Sequence, residues 1–277
     1  MTARAPSNTA FGAAGIRAVH QLIDEEPKIL NDPIVLRLLR ESSLDKIRTN
    51  PNRFRTPGLN ALRSHIVMRS RYAEDCLAES VQSGVRQYLI LGAGLDTFPY
   101  RQPHWARVLR IFEVDRPESQ LLKRERLALA GIEVPSNLEL IACDFETTSL
   151  HDCLRRSSFD FGASAFVSWL GVTTYLSTEA IDAVLRFVSA LPKSSEIVFT
   201  FASPLQKHAP FVAAFAAARG EPWRTFFEPN DLAHKLHGLG FSKVSFLSAS
   251  EANTRYFGGR HDGLHAREKV GIVTATV

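Results

Sequence analysis

Apolar residues recur at helical spacings from Thr9 to Leu39, at Phe11, Ile16, Val19, Leu22, Ile23, Ile29, Leu30, Ile34, Val35, Leu38 and Leu39, with Pro27 and Pro33 interrupting. The spacing predicts two or three short helices. A polar stretch with Pro51 and Pro57 comes next, and Leu59 to Ser83 then reads as one longer helix ending at Gly84. From there the pattern changes to short apolar runs: Gln87 to Leu91, Val108 to Val114, Leu138 to Cys143, Ala163 to Trp169 and Glu196 to Phe201. Continuous runs of this length suit strands buried on both faces. A helix from Glu118 to Ala130 separates the second and third runs, bracketed by Pro117 and Gly131, with a face carrying Leu121, Leu122, Leu127 and Leu129. Another, Thr178 to Leu191, separates the fourth and fifth. Such alternation predicts an α/β fold with a parallel, doubly wound sheet.

Past Phe201 the pattern gives an Ala- and Phe-rich helix, Pro210 to Arg219, and a second helix, Asn230 to Leu239, closed by Gly240. Two apolar runs end the chain, Phe241 to Leu247 and Val270 to Val277, with no long helix required between them. They are expected to pair antiparallel. No repeat, low-complexity tract or linker divides the chain, so residues 1–277 are expected to form one domain, with N-terminal helices over 1–83 and the sheet over 84–277.

Composition narrows the partners. Lys and Arg total 33 against 29 Asp and Glu, dispersed along the chain, which argues for a solvated surface and against nucleic acid. No apolar run reaches the roughly 18 residues of a membrane span, and Met1 to Gly12 is polar, so an unexported cytoplasmic protein is expected. Cys76, Cys143 and Cys153 are odd in number and lack C-x-x-C spacing, which indicates neither a disulfide framework nor a zinc site and fits a reducing cytosol. His234 with His237, and His261 with His265, have metal-like spacing but no completing ligands, so no metal is expected.

The candidate chemistry lies where the first strand stops, in Leu91-Gly92-Ala93-Gly94-Leu95-Asp96-Thr97. Glycines one residue apart let the backbone turn sharply and approach a ligand. Asp115 ends the second strand 21 residues after Gly94, the offset at which an acid meets ribose hydroxyls in nucleotide-binding βαβ units. A dinucleotide would need a third glycine where Thr97 stands and a helix N-terminus free for its pyrophosphate, whereas Asp96 sits at that entrance. S-adenosylmethionine, with adenosine, no phosphate and a sulfonium cation, suits an acidic loop better than NAD does.

Together with Arg101, these residues, then Phe112-Glu113-Val114-Asp115-Arg116-Pro117 and Gly171-Val172-Thr173-Thr174-Tyr175-Leu176, closely resemble the leucine carboxyl methyltransferase-like class I methyltransferases. The bacterial branch, with mycobacterial methyltransferases and polyketide O-methyltransferases, is the more similar. His20-Gln21-Leu22-Ile23-Asp24, Pro27-Lys28-Ile29-Leu30, Arg69-Ser70-Arg71-Tyr72 with Asp75, Glu221-Pro222-Trp223 and Asn253 to Gly263 extend the likeness over nearly the whole chain. The resemblance implies a seven-stranded, mainly parallel Rossmann-like sheet under a lid of N-terminal helices. It also implies S-adenosylmethionine-dependent O-methylation of a small-molecule carboxylate or hydroxyl.

For the cofactor it implies Gly92, Ala93, Gly94, Asp96, Asp115 and Arg116, an arginine for the α-carboxylate, for which Arg69 is chosen over Arg71, and Asp144 with Phe145 for adenine. The family's glutamate after strand four is absent here, where the segment reads Trp169-Leu170-Gly171, leaving backbone carbonyls or Trp169. Acceptor-site candidates are Tyr72 and, in the connector Ser248 to Lys269, Arg255, Tyr256 and Arg260, whose positive charge suits an acidic acceptor. A carboxylate acceptor needs no general base; a hydroxyl does. An NAD(P)-dependent oxidoreductase and a catalytically idle nucleotide-binding fold remain the alternatives.

Overall fold

A computed structural model of the chain describes residues 8–204, 222–268 and 270–277. The expected helix from Pro210 to Arg219 lies outside them. Seven strands form one sheet in the order β3-β2-β1-β4-β5-β7-β6. They are β1 (Gln87–Leu91), β2 (Arg110–Asp115), β3 (Leu138–Ala142), β4 (Ala165–Trp169), β5 (Glu196–Thr200), β6 (Lys243–Phe246) and β7 (Ile272–Thr276). The pairs among β1 to β5 are parallel, while β7 runs antiparallel between β5 and β6. The final two apolar runs therefore pair antiparallel, as expected.

Central strands are largely apolar because both faces are covered, although Gln87, Glu113 and Ser168 are buried within them. Tyr88, Ile90, Phe166, Val198 and Ile272 face one hydrophobic layer, and Leu89, Leu91, Val167, Trp169, Phe199 and Val273 face the other. The first layer is closed by α4 (Pro57–Gln82), whose Val67, Met68, Tyr72, Ala73 and Leu77 pack on the sheet. Pro57 at its first turn and Thr56 at its N-cap fix where it starts, since proline lacks an amide that would go unpaired there and the Thr56 hydroxyl accepts from Leu59 N. The second layer is closed by α6 (Leu150–Leu154), α7 (Thr178–Ser189) and α8 (Pro229–Gly238), through Leu150, Leu154, Ile181, Val184, Leu232 and Leu236.

The N-terminal region forms α1 (Asn8–Ile23), α2 (Ile34–Leu38) and, within the stretch read as polar linker, α3 (Glu41–Thr49). Their Ala14, Ala18, Val19, Val35, Leu44 and Ile47 pack around Leu95 of the glycine turn, so these helices sit over the carboxyl ends of the strands. Ion pairs seal the arrangement. Arg63 of α4 is fully buried and donates to Asp24, which also binds His20 of α1.

Three expectations are corrected. First, α5 (Pro117–Leu129) does not present a leucine face to the sheet: Leu121 and Leu129 are 61% and 82% exposed, and the inward side is Ser119, Gln120, Lys123 and Leu127. Lys123 pairs there with buried Glu113 of β2, so a polar contact sets the rotation of the helix. Second, Val108 belongs to a 3-10 turn and is exposed rather than opening β2. Third, Cys143 and Cys153 form a disulfide, their Cα atoms 5.8 Å apart. No C-x-x-C spacing announced it, because the partners come from a strand end and a helix that tertiary folding brings together.

Glu196 opens β5, partly buried beside Glu79; burial first and then the Glu79 charge push its carboxyl up to about 7, against Lys243. A carboxyl raised on folding favours the fold below its unfolded pKa and loses that contribution as pH rises through about 7. Glu196→Gln is therefore expected to match the parent near pH 4 and to exceed it above pH 7 by up to about 1 kcal/mol, a figure discounted for partial exposure. Urea denaturation at the two pH values measures the difference; an equal difference at both would assign the effect to packing.

Candidate active site

The strand ends β1, β2, β3 and β4 converge under α1, and the glycine turn lies at their centre. Gly92 N and Ala93 N both donate to Val114 O, at 2.7 and 3.3 Å, folding the turn back over β2. Gly94 has φ +49°, and a Cβ there would meet Ala10 of α1 at 3.1 Å, so the lid closes directly on this backbone. Arg17 of α1 reinforces the closure by donating to Leu95 O and pairing with buried Asp32. Arg101 adds a further tie, binding Glu74 of α4, Asp32 and Thr97 Oγ1.

Asp115 ends β2 with Oδ2 accepting from Gly94 N at 2.6 Å and Oδ1 from Arg116 N at 2.7 Å. Arg116, not Asp115, occupies the N-cap position of α5, with no side-chain cap bond, so capping does not explain this carboxylate. Burial pushes its carboxyl upward, opposed by those two amides. Each oxygen retains a lone pair for a hydroxyl, because a carboxylate has about four acceptor sites. Asp96 points back into its own turn, Oδ1 accepting from Phe98 N at 2.8 Å. Beyond it the chain forms the 3-10 turn Phe98–Tyr100, not the α-helix expected at that entrance, so the glycine turn presents no helix N-terminus to a pyrophosphate.

Arg69 lies in α4 against the turn after β4. A Cβ on Gly171, whose φ is +74°, would stand 2.6 to 2.9 Å from the guanidinium, so glycine alone leaves room for it. Its Nε is buried without a hydrogen-bond partner among the described residues. Burial first, with the Arg17 charge, lowers its pKa to about 10 against Tyr175 and Asp96, so it stays cationic at neutral pH. Arg71, on another side of the helix, is exposed and paired with Asp75. The arginine that faces the strand ends is thus Arg69.

At the end of β3, Asp144 Oδ1 accepts from Glu146 N at 3.0 Å and its carbonyl from Thr147 and Thr148, which makes it a turn former. Phe145 is partly buried and meets Trp169 edge to face, centroids 6.2 Å apart. Trp169 itself is fully enclosed between Phe145 and Phe199 in the lower hydrophobic layer, so it does not line the cleft. The small Gly171 brought Arg69, rather than the Trp169 ring, to that strand end.

The four acceptor candidates are engaged elsewhere. Tyr72 is buried with its hydroxyl 3.0 Å from Thr274 Oγ1 on β7. Arg255 stacks over Tyr72 and Tyr256 and pairs with Asp75 and Glu251, while Tyr256 donates to Asp75 at 2.9 Å. Arg260 pairs with Asp262 and donates to the carbonyls of Glu25 and Pro27, clamping the connector to the lid. These contacts make the connector a packed cover beside α4. Sequence reading instead missed His65, one turn before Arg69 on the same helix face. Burial first and then the Arg69 charge push its pKa down to about 3, so its imidazole is neutral at physiological pH. The i, i+4 spacing to Arg69 was the available signal.

Asp115→Ala is expected to weaken S-adenosylhomocysteine binding by about 1 to 3 kcal/mol with the fold retained, through loss of charge-assisted bonds. Calorimetry measures it, and unchanged affinity in a folded variant would remove Asp115 from the site.

Comparison with known proteins agrees with this geometry. The sequence profile described as leucine carboxyl methyltransferase matches residues 10–189, which include the lid, the glycine turn, Arg69 and the ends of β1 to β4. The "Putative S-adenosyl-L-methionine-dependent methyltransferase YktD" of Bacillus subtilis is 33% identical over 215 residues, covering 75% of this chain and 70% of that one. A protein of the same kind of name from Mycobacterium avium is 30% identical over 204 residues, 68% of this chain and 64% of that one. Among solved structures, a "putative methyltransferase" from Thermobifida fusca superposes with TM-score 0.57 at 17% identity, covering 98% and 94% of the two chains. A DUF574 family protein from Streptomyces avermitilis gives 0.51 at 16% identity, covering 96% and 95%. At such identities these two likenesses establish the fold alone, that of a mainly parallel α/β sheet. With the profile spanning the lid and four strand ends, the chain belongs to the leucine carboxyl methyltransferase family.

Proposed function

We propose that this chain is an S-adenosylmethionine-dependent methyltransferase that transfers methyl to an oxygen of a small-molecule carboxylate or hydroxyl. The observation that carries the reading is Arg69: a cationic guanidinium with an unpartnered, enclosed Nε, set over Gly171 beside the glycine turn. A buried guanidinium nitrogen without a partner among the described residues is costly, and a ligand carboxylate offsets that cost. The residues fit the cofactor: Arg69 for its carboxylate, the backbone of Gly92, Ala93 and Gly94 along its length, Asp115 for ribose hydroxyls and Phe145 for the adenine face. Asp96, close enough to influence Arg69, supplies negative charge on the ammonium and sulfonium side. When bound, S-adenosylmethionine supplies an electrophilic methyl group on its sulfonium.

The protein's contribution is then alignment and exclusion of water, the kind of effect worth up to about 7 to 11 kcal/mol. The lid does this by packing α1 on Gly94.

The test is calorimetry with S-adenosylmethionine, S-adenosylhomocysteine and NAD. Binding of the first two and not NAD is expected, followed by label transfer from methyl-labelled S-adenosylmethionine to a panel of carboxylic acids, phenols, alcohols and peptide carboxyl termini. NAD binding, or no binding of the first two, would overturn the cofactor; transfer only to peptides would overturn the small-molecule acceptor.

A further inference from the structure

Cys143 directly follows β3 and is bonded to Cys153 of α6, closing a ring across a sequence separation of 10 residues. Inside that ring lie the turn former Asp144 and Phe145, the latter assigned by the proposed function to the adenine face of the cofactor. The ring has non-covalent anchors as well. Cys143 N donates to Asp115 O at 2.8 Å, tying it to the ribose residue, and the Glu146 carboxylate accepts from Ser177 N and Oγ at 2.8 and 2.7 Å. Leu150 and Leu154 of α6 are buried in the main hydrophobic layer. The fold therefore has its own support on both sides of the bond, and what the bond adds is the placement of the short turn between them. Cys143 is 3% exposed, whereas Cys153 is only partly buried, so an external thiolate reaches one sulfur of the pair in preference to the other. Cys76 is buried in the opposite layer, beside Tyr72, and takes no part.

We infer that Cys143 and Cys153 form a redox-modification site, a reversible dithiol–disulfide couple whose oxidised form holds the Asp144-Phe145 turn for adenine and whose reduced form binds the cofactor less tightly. The couple's effect on binding rests on the proposed S-adenosylmethionine site. In reduction, a thiolate of a dithiol attacks Cys153 Sγ, the S–S bond breaks, and its electron pair leaves on Cys143 Sγ, which takes up a proton. The second thiol of the reductant attacks the mixed disulfide; Cys153 leaves as thiolate and is protonated, and the reductant departs as its own disulfide. Oxidation is the reverse exchange with a low-molecular-weight disulfide, which is reduced to its thiols. In a compartment that keeps thiols reduced, a disulfide that forms between strand end and helix is of the transient, sensing class rather than a permanent staple.

The experiment uses the full chain, oxidised with glutathione disulfide or reduced with dithiothreitol, and titrates S-adenosylhomocysteine into each. Freeing a closed ring of this size is expected to weaken binding about five- to tenfold. Hydrogen exchange across 143–154 is expected to quicken on reduction. The Cys143→Ser, Cys153→Ser double variant is expected to show the reduced affinity under both reagents, and Cys76→Ser to respond as the parent does. Cys153→Ser alone serves the same purpose should the double variant fail to fold. Equal affinity and equal exchange in the two forms, a Cys143/Cys153 variant that still responds, or a mass showing that no disulfide forms under glutathione disulfide would each overturn the couple. If neither form binds S-adenosylhomocysteine, the cofactor reading falls, and exchange alone decides the couple: quickened exchange upholds it and unchanged exchange overturns it.

Discussion

Arg69→Ala is expected to weaken S-adenosylmethionine and S-adenosylhomocysteine by about 3 kcal/mol, roughly 150-fold, while leaving 5′-methylthioadenosine nearly unaffected, because truncating one partner of a buried charge pair costs about 2 to 5 kcal/mol. Only the first two ligands carry the carboxylate. The stability of the ligand-free protein is expected to stay level or rise, since the variant removes an enclosed cation whose Nε has no partner among the described residues. This opposition of sign separates a binding role from a packing role. Equal loss for all three ligands, or a fall in ligand-free stability, would assign Arg69 to the scaffold. Gly171→Ala is expected to act in the same direction, because its Cβ would occupy space within 2.9 Å of the guanidinium at a φ of +74°.

Arg63→Met is expected to cost about 3 to 5 kcal/mol of stability, the usual penalty for stranding one member of a buried ion pair. Arg63 is fully buried and donates to Asp24 Oδ2 at 2.6 Å and to Phe54 O at 2.8 Å, tying α4 to the lid at two points, with a further bond to Asn60 Oδ1 at 2.9 Å inside α4. Without it, the enclosed Asp24 carboxylate keeps, among the described residues, His20 as its side-chain partner, at 2.8 Å. Urea denaturation should show a lower midpoint at unchanged slope, because lid and sheet are proposed to unfold as one unit. A second transition, or loss confined to the lid, would divide residues 1–83 from the rest. Adding Asp24→Asn should restore part of the loss, as it removes the stranded charge.

The architecture was legible because its cause is local. Strands buried on both faces are largely apolar, which is why Gln87 to Leu91 and Ala163 to Trp169 stood out. Pro117 and Gly131 bracket α5 by backbone chemistry that depends on no distant residue. The glycine turn and Asp115 were readable for the same reason, since turn geometry and offset are properties of the chain itself.

What failed to show was whatever depends on which distant side chain arrives. The leucines of α5 suggested an apolar face, but the buried Glu113 to Lys123 pair fixed the helix rotation instead. Arg255, Tyr256 and Arg260 had the composition of a binding loop, yet Asp75, Asp262 and the carbonyls of the lid lie within their reach and engage them. The bond between Cys143 and Cys153 likewise depends on where α6 docks. Sequence by itself determined the central strands, the mainly parallel class of the sheet and the glycine turn after β1, because hydrophobic period and backbone preference act within a few residues. Tertiary structure alone decided that Arg69 rather than Arg71 lies against Gly171 after β4 and that the connector packs beside α4, because charge pairing and burial are settled only when separate elements meet.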